Sequence, residues 1–192
     1  MKELIVAAKD LRKDTEIKKI PEGIGYYKWF ASIDDLKMIL NKLELSFDSI
    51  PSDQWEIENG LYCIYLGIAR KSLRERLDWH VNNHHTLKFV SSGYLSSLRQ
   101  SLSSILFSDQ SKEKETNDFI DRLLIHYYYF ENLNPESKTD RKTIENLETE
   151  LINEHLHILN DKKNKNEFRT STKLREIKKL GKITALRKLE SN

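Results

Sequence analysis

The chain lacks several features that would place it at once in a large structural class. Its 192 residues hold a single cysteine, Cys63, which excludes an internal disulfide and fits a reducing compartment. No apolar run approaches 18 residues, so the sequence offers no membrane span. The opening MKELIVAAKDLRKD is apolar only from Leu4 to Ala8, too short for a signal peptide. No internal repeat or low-complexity tract is visible. These absences together predict a cytoplasmic protein with no membrane partner.

What remains is ordinary in amount and uneven in placement. The apolar share is 38% and the charged share 32%, which suits one well-charged domain whose core needs no disulfide or zinc staple. The net charge of +2 hides an asymmetry. Residues 161–192 carry 11 Lys and Arg against 4 Asp and Glu, a net of +7, which leaves −5 for the preceding 160. A basic tail on an acidic body points to a polyanionic partner or simply to a solvated helix.

Hydrophobic periodicity orders the elements. GIGYYKWFA (23–31) reads as a strand, and Ser32 caps a helix over IDDLKMILNKL. FDSIPSDQWEIENG is a connecting loop, and LYCIYLG (61–67) a short buried strand. Ser72 and Glu75 form a capping box ahead of the stripe Leu73, Leu77, Val81. Residues 93–107 predict a second amphipathic helix, and DQSKEKETND a charged, exposed loop. Residues 122–133 predict a third strand, 141–158 a helix, and the tail a further helix with Gly181 as its break. The order describes a small α+β domain with helices on a short sheet.

Three residues do not suit a plain core. Projected at 100° per residue, Ile144, Leu147, Leu151 and Ile152 share one arc, and Glu148 falls near its middle. A buried carboxylate needs a cation, which leaves open a structural ion pair or a functional site. Arg76 lies at the border of the stripe on the preceding helix, with His80 four residues on along the same side. An arginine shaped for phosphate oxygens, a histidine titrating near neutrality and a lone carboxylate suit phosphodiester cleavage or a salt-bridged core edge.

In these positions the chain resembles the GIY-YIG nucleases. Tyr65-Leu66-Gly67 looks like the YIG element, and LRERLDWH like the helix after it, which places the family arginine at Arg76 and histidine at His80. LETELINEHLHILN matches the run that carries the family glutamate, here Glu148, with an asparagine twelve residues on, Asn160. Gly25-Tyr26-Tyr27 stands for GIY, and makes residues 31–58 an insertion between the two strands. Many members have a lysine after YIG, where this chain has Ile68, so Lys28 or Lys71 is its candidate replacement. The resemblance implies a three-stranded, mainly antiparallel sheet flanked by helices. The domain would span 23–160, with an N-terminal extension (1–22) and a basic, helical tail (161–192).

The function implied is metal-dependent endonucleolytic hydrolysis of DNA, expected to be double-stranded. Glu148 would hold one divalent cation, Mg²⁺ or Mn²⁺, and Arg76 would grip a phosphate oxygen. Tyr27 would be general base with Tyr65 beside it, assisted by His80. Asn160, Lys28 and Lys71 would contact substrate. A catalytically inactive nucleic-acid- or protein-binding module is the alternative. Restriction, repair, homing and defence roles all stay open, and specificity would come from the insertion, the 107–121 loop, the tail, a homodimer or another partner. The histidines carry a separate zinc alternative through His80 and His84, while His84 and His85 are otherwise expected to face solvent or DNA. His155 and His157 read as edge residues of the last core helix.

Overall fold

The computed structural model describes residues 2–191. Five strands form one antiparallel sheet: β1 (Lys2–Ala7), β2 (Gly25–Ala31), β3 (Ile57–Glu58), β4 (Leu61–Ala69) and β5 (Leu124–Tyr129), in the order β1-β5-β2-β4-β3. The helices are α1 (Asp14–Ile17), α2 (Ile33–Lys42), α3 (Leu73–Asn82), α4 (Leu87–Ser92), α5 (Ser97–Phe107), α6 (Glu113–Ile120), α7 (Lys138–Glu154) and α8 (Ser171–Leu189). Among the described residues no helix is long and apolar enough to cross a membrane.

Side-chain alternation along β2 divides the structure into layers. Tyr27 and Trp29 enter the main core with Leu36 and Ile39 of α2, Leu73 and Leu77 of α3, and Leu98 and Leu102 of α5. Tyr26 instead joins Ile24, Ile68 and Ile144 in a smaller cluster, beneath α7 on the other face. The sheet is therefore covered on both sides, and its central strands read as nearly continuous apolar runs.

The sheet has five strands rather than the three expected. β1 adds at one edge by pairing with β5, and the two-residue β3 adds beside β4. Leu4 and Ile5 of β1 stay exposed, so no one-sided alternation marked that strand in the sequence. Within the insertion lie α2, two single-turn 3₁₀ helices and β3.

Several boundaries move for local reasons. The helix expected over 93–107 begins at Ser97, because Gly93 ends α4 in the left-handed region at φ 72° and Ser96 caps the next helix. The charged segment expected as a loop folds in part as α6, which buries Thr116, Phe119 and Ile120 and leaves its charges outside. α7 starts and ends earlier than expected, capped by Ser137 and followed by an extended His155.

Gly181 does not break the tail helix. A Cβ there would lie 2.5 Å from Ser104 Oγ, so the glycine lets α8 approach α5 closely. The tail's charge also finds partners within the fold. Lys173, Lys178 and Lys188 pair with Glu44, Asp161 and Asp109. Two of these pairs join α8 to the acidic body, and the Lys178–Asp161 pair lies within the tail itself.

Candidate active site

Neighbouring strands deliver the two tyrosines. In the β2–β4 ladder Tyr27 stands opposite Gly67, and Trp29 opposite Tyr65. A Cβ at Gly67 would run into the Oη, Cζ and Cε2 atoms of Tyr27, so the phenol can lie across β4 only because that residue is glycine. Ser72 caps the helix as read, its Oγ accepting the Glu75 N–H at 3.1 Å. The reciprocal Glu75 side-chain bond of a full capping box is not formed among the described residues. From this fixed start α3 projects Arg76 and His80 toward β2.

Their side chains meet at one oxygen. Tyr27 Oη lies 2.7 Å from His80 Nε2 and accepts the Arg76 Nε–H at 3.1 Å. Arg76 supplies a hydrogen to that oxygen, and His80 Nε2 is the acceptor that the Tyr27 hydroxyl hydrogen finds among the described residues. The imidazole then carries its own proton on Nδ1, which is buried with no partner. The Arg76 guanidinium lies 4.4 Å from the Trp79 ring centroid, which fixes its plane. Tyr65 Oη is 2.6 Å from Ser97 Oγ at the start of α5.

An open cavity of about 770 Å³ lies alongside, lined by Tyr65, Gly67, Lys71, Arg76 and Trp79 among others. Glu148 lines it from α7, so the carboxylate flagged by the helical projection faces this space rather than the apolar core. Its Oε2 is 2.6 Å from the Lys163 ammonium. The remaining carboxylate capacity, and the four Arg76 N–H groups beyond Nε, are the polar resources at the cavity wall.

Burial dominates the electrostatics. It pushes the Tyr27 phenol well above its ordinary value, against the opposing pull of Arg76. Tyr65 is raised by burial too, with Ser97 and Arg76 working the other way. His80 is driven well below the usual imidazole value by burial and by the Arg76 and Arg99 cations. At neutral pH the pair is therefore a protonated phenol beside a neutral imidazole, with a lone pair available at Nε2.

The remaining sequence candidates lie in different places. Lys71 is exposed at the cavity rim. Lys28 alternates to the face opposite Tyr27 and pairs with Glu56. Asn160 is buried, accepting the Leu66 N–H at 3.0 Å and donating to the Leu66 carbonyl at 2.8 Å, so its amide clamps the backbone of β4. Ile68 packs beneath α7 with Ile144, and the cation that touches Tyr27 is Arg76. His84 is exposed on Glu113 while His80 is bound to Tyr27, so these two do not converge on a metal. His85 is buried rather than solvent-facing, held between Arg99 Nε and the Gln110 carbonyl. His157 is likewise buried rather than at a helix edge.

Three residues that the sequence did not single out shape the site: Ser97, Lys163 and Arg99. Arg99 is fully buried and donates to the His80 and Val81 carbonyls at the end of α3 and to Asn117 Oδ1. Only its place on the α5 apolar side, next to Leu98 and Leu102, marked it in advance.

A family model described as the GIY-YIG catalytic domain matches residues 25–183. No curated protein and no solved structure matches the chain. The matched span contains both tyrosines, the α3 arginine and histidine, the α7 glutamate and most of α8, and the chain belongs to the GIY-YIG family.

Proposed function

We propose that the chain is a DNA endonuclease that hydrolyses phosphodiester bonds at the cavity between α3 and α7. One observation carries this reading: Arg76, hydrogen-bonded to Tyr27 and through it to His80, lines the same cavity as Glu148. Family membership supports nuclease chemistry on a nucleic acid in general terms, and GIY-YIG nucleases generally use divalent metals.

Glu148 fits such a cation. It is a hard oxygen donor facing open space, and Mg²⁺ takes one or two carboxylates and fills its shell with water and phosphate oxygens. Bound there, Mg²⁺ or Mn²⁺ would supply Lewis-acid stabilisation of charge on the phosphate. The protein's own groups account for the rest. Arg76 keeps its plane through Trp79 and Tyr27, and offers its terminal N–H groups to a non-bridging oxygen as charge develops on phosphorus. Tyr27 is enclosed beneath Arg76, so Arg76 Nε would have to yield its place on Oη for that oxygen to take a proton from the attacking water and pass its own to His80 Nε2. The base is thus the pair, since a buried phenol alone holds its proton too tightly at neutral pH.

Incubation with supercoiled plasmid in Mg²⁺ or Mn²⁺, beside a folded Glu148→Ala control, tests this reading. Cleavage by the parent alone is expected. Binding without cleavage by either would favour a binding module, the reading supported by Ile68 and by the Lys163 ammonium on Glu148.

A further inference from the structure

On the face of β2 that carries Lys28 rather than Tyr27, three unlike donors converge. Glu56 comes from the insertion just before β3, Cys63 from β4, and His157 from the segment after α7. One donor atom from each lies within 4.8 Å of the others. His157 is fully buried, and neither of its ring nitrogens has a hydrogen-bond partner; Glu56 Oε2 is buried and unpartnered too. Buried polar atoms are nearly always satisfied, so His157 Nε2 and Glu56 Oε2, two orphans facing each other, need an explanation.

Distance supplies one. His157 Nε2 and Glu56 Oε2 are 3.5 Å apart, too long for a good hydrogen bond. Two ligands on one tetrahedral ion with arms of about 2.0–2.1 Å stand about 3.4 Å from each other. An imidazolium–carboxylate pair is the rival arrangement; Nδ1 carries a hydrogen in both, so it is the Cys63 sulfur at the same point that favours a metal. Glu56 is ion-paired with the buried Lys28 ammonium. Lys28 engages Oε1, leaving Oε2 for another cation.

We propose that Glu56, Cys63 and His157 form a binding site for one zinc-class divalent cation, with water in the fourth position. The nitrogen, sulfur and oxygen set is one that zinc accepts and magnesium does not. Binding releases the Cys63 thiol proton to solvent, because the metal ligand is the thiolate. The ion would tie the insertion, β4 and the segment leading to Asn160 into one unit, behind the strand that carries Tyr65. The site is separate from Glu148 and does not depend on the nuclease reading.

The test uses the full chain with Glu148→Gln, so that the cavity carboxylate contributes nothing. After chelator treatment, Zn²⁺ is added, excess removed by gel filtration, and metal counted by mass spectrometry; Co²⁺ is loaded in parallel. About one equivalent of zinc is expected, with a near-ultraviolet thiolate-to-cobalt band that disappears in Cys63→Ser. Zinc should also raise Tm in the parent and not in Cys63→Ser, a small change that keeps the test decisive if His157→Gln fails to fold. No retained metal would overturn the proposal. Retained metal without a sulfur band would overturn it as well, and would direct attention to Glu3, Glu58 and His126, which lack sulfur.

Discussion

Tyr27 and His80 are joined by a 2.7 Å contact between Oη and Nε2, from β2 to the last turn of α3, and neither side chain is exposed to solvent. Two residues 53 positions apart in sequence are thus held as a single proton-transfer unit. Each is perturbed in the sense that unit needs: the phenol retains its proton and the imidazole stays neutral.

Tyr27→Phe and His80→Gln should each lower plasmid cleavage by about 10²–10⁴, the usual range for a general base. The double variant should lose little more than either single one, since both act in one transfer. Because His80 is depressed, the rate should stay level as pH falls through 6.5, dropping only well below it. An acid limb at or above pH 6.5, or multiplicative losses, would rule out the shared role.

Gly67→Ala tests whether the glycine exists for the phenol. The new methyl meets a ring that is buried on all sides, and forced overpacking costs about 1–3 kcal/mol. Thermal unfolding should show that loss, and Tyr27→Phe/Gly67→Ala should recover part of it by removing the hydroxyl. No recovery would mean that the collision lies with the ring carbons instead.

Asn160 is expected to act through β4 rather than on substrate. Replacing it by Ala leaves the Leu66 N–H and carbonyl unpaired in a buried setting, a loss of about 1–3 kcal/mol. Asn160→Asp should be at least as harmful, because a carboxylate oxygen would face the Leu66 carbonyl. At a temperature where both variants are folded, KM for DNA should match the parent. A raised KM with unchanged Tm would assign Asn160 a substrate contact instead.

How much of this was legible in the sequence depended on whether a residue announced itself by violating a pattern. Glu148 did so, as a carboxylate on an apolar arc, and the structure turns it toward a cavity. Arg76 and His80 followed a readable helix cap. β1 stayed hidden because an edge strand with exposed Leu4 and Ile5 shows no buried face. Arg99 and His85 stayed hidden because their partners lie on other elements: Arg99 reaches the end of α3, and His85 reaches both Arg99 and Gln110. Gly181 misled for the reverse reason, since its role lies in the contact with Ser104 and not in its own helix.

His85 makes stability sensitive to mild acid. Burial, then Arg99, lowers it to about 4 from an ordinary 6.5, so between those values the unfolded chain binds a proton that the folded one does not. Stability should therefore fall as pH drops from 6.5 toward 4 and level off below, by about 3 kcal/mol in total from this residue. His80 contributes in the same direction. Urea unfolding at pH 7 and pH 4.5 should show a smaller difference in His85→Gln than in the parent. An equal difference would clear His85 of the effect.

Lys163 and Glu148 set the terms on which a divalent cation can enter the cavity. The ammonium stands 2.6 Å from Oε2, on a residue with φ 62°, and it also reaches the Glu145 carbonyl. A cation arriving at Glu148 must compete with that pair and with its positive charge, and an ion pair still reached by solvent on the lysine side is weak enough to be displaced. Lys163→Met should therefore tighten Mn²⁺ binding severalfold, on the scale of 1 kcal/mol for such a pair, read by the loss of the hexaaqua Mn²⁺ resonance on titration. In Glu148→Gln the same lysine change should do nothing, because the carboxylate through which it acts is gone. Tightening in both backgrounds would mean that Lys163 acts through general surface charge, and the special relation of the ammonium to Glu148 would have to be given up.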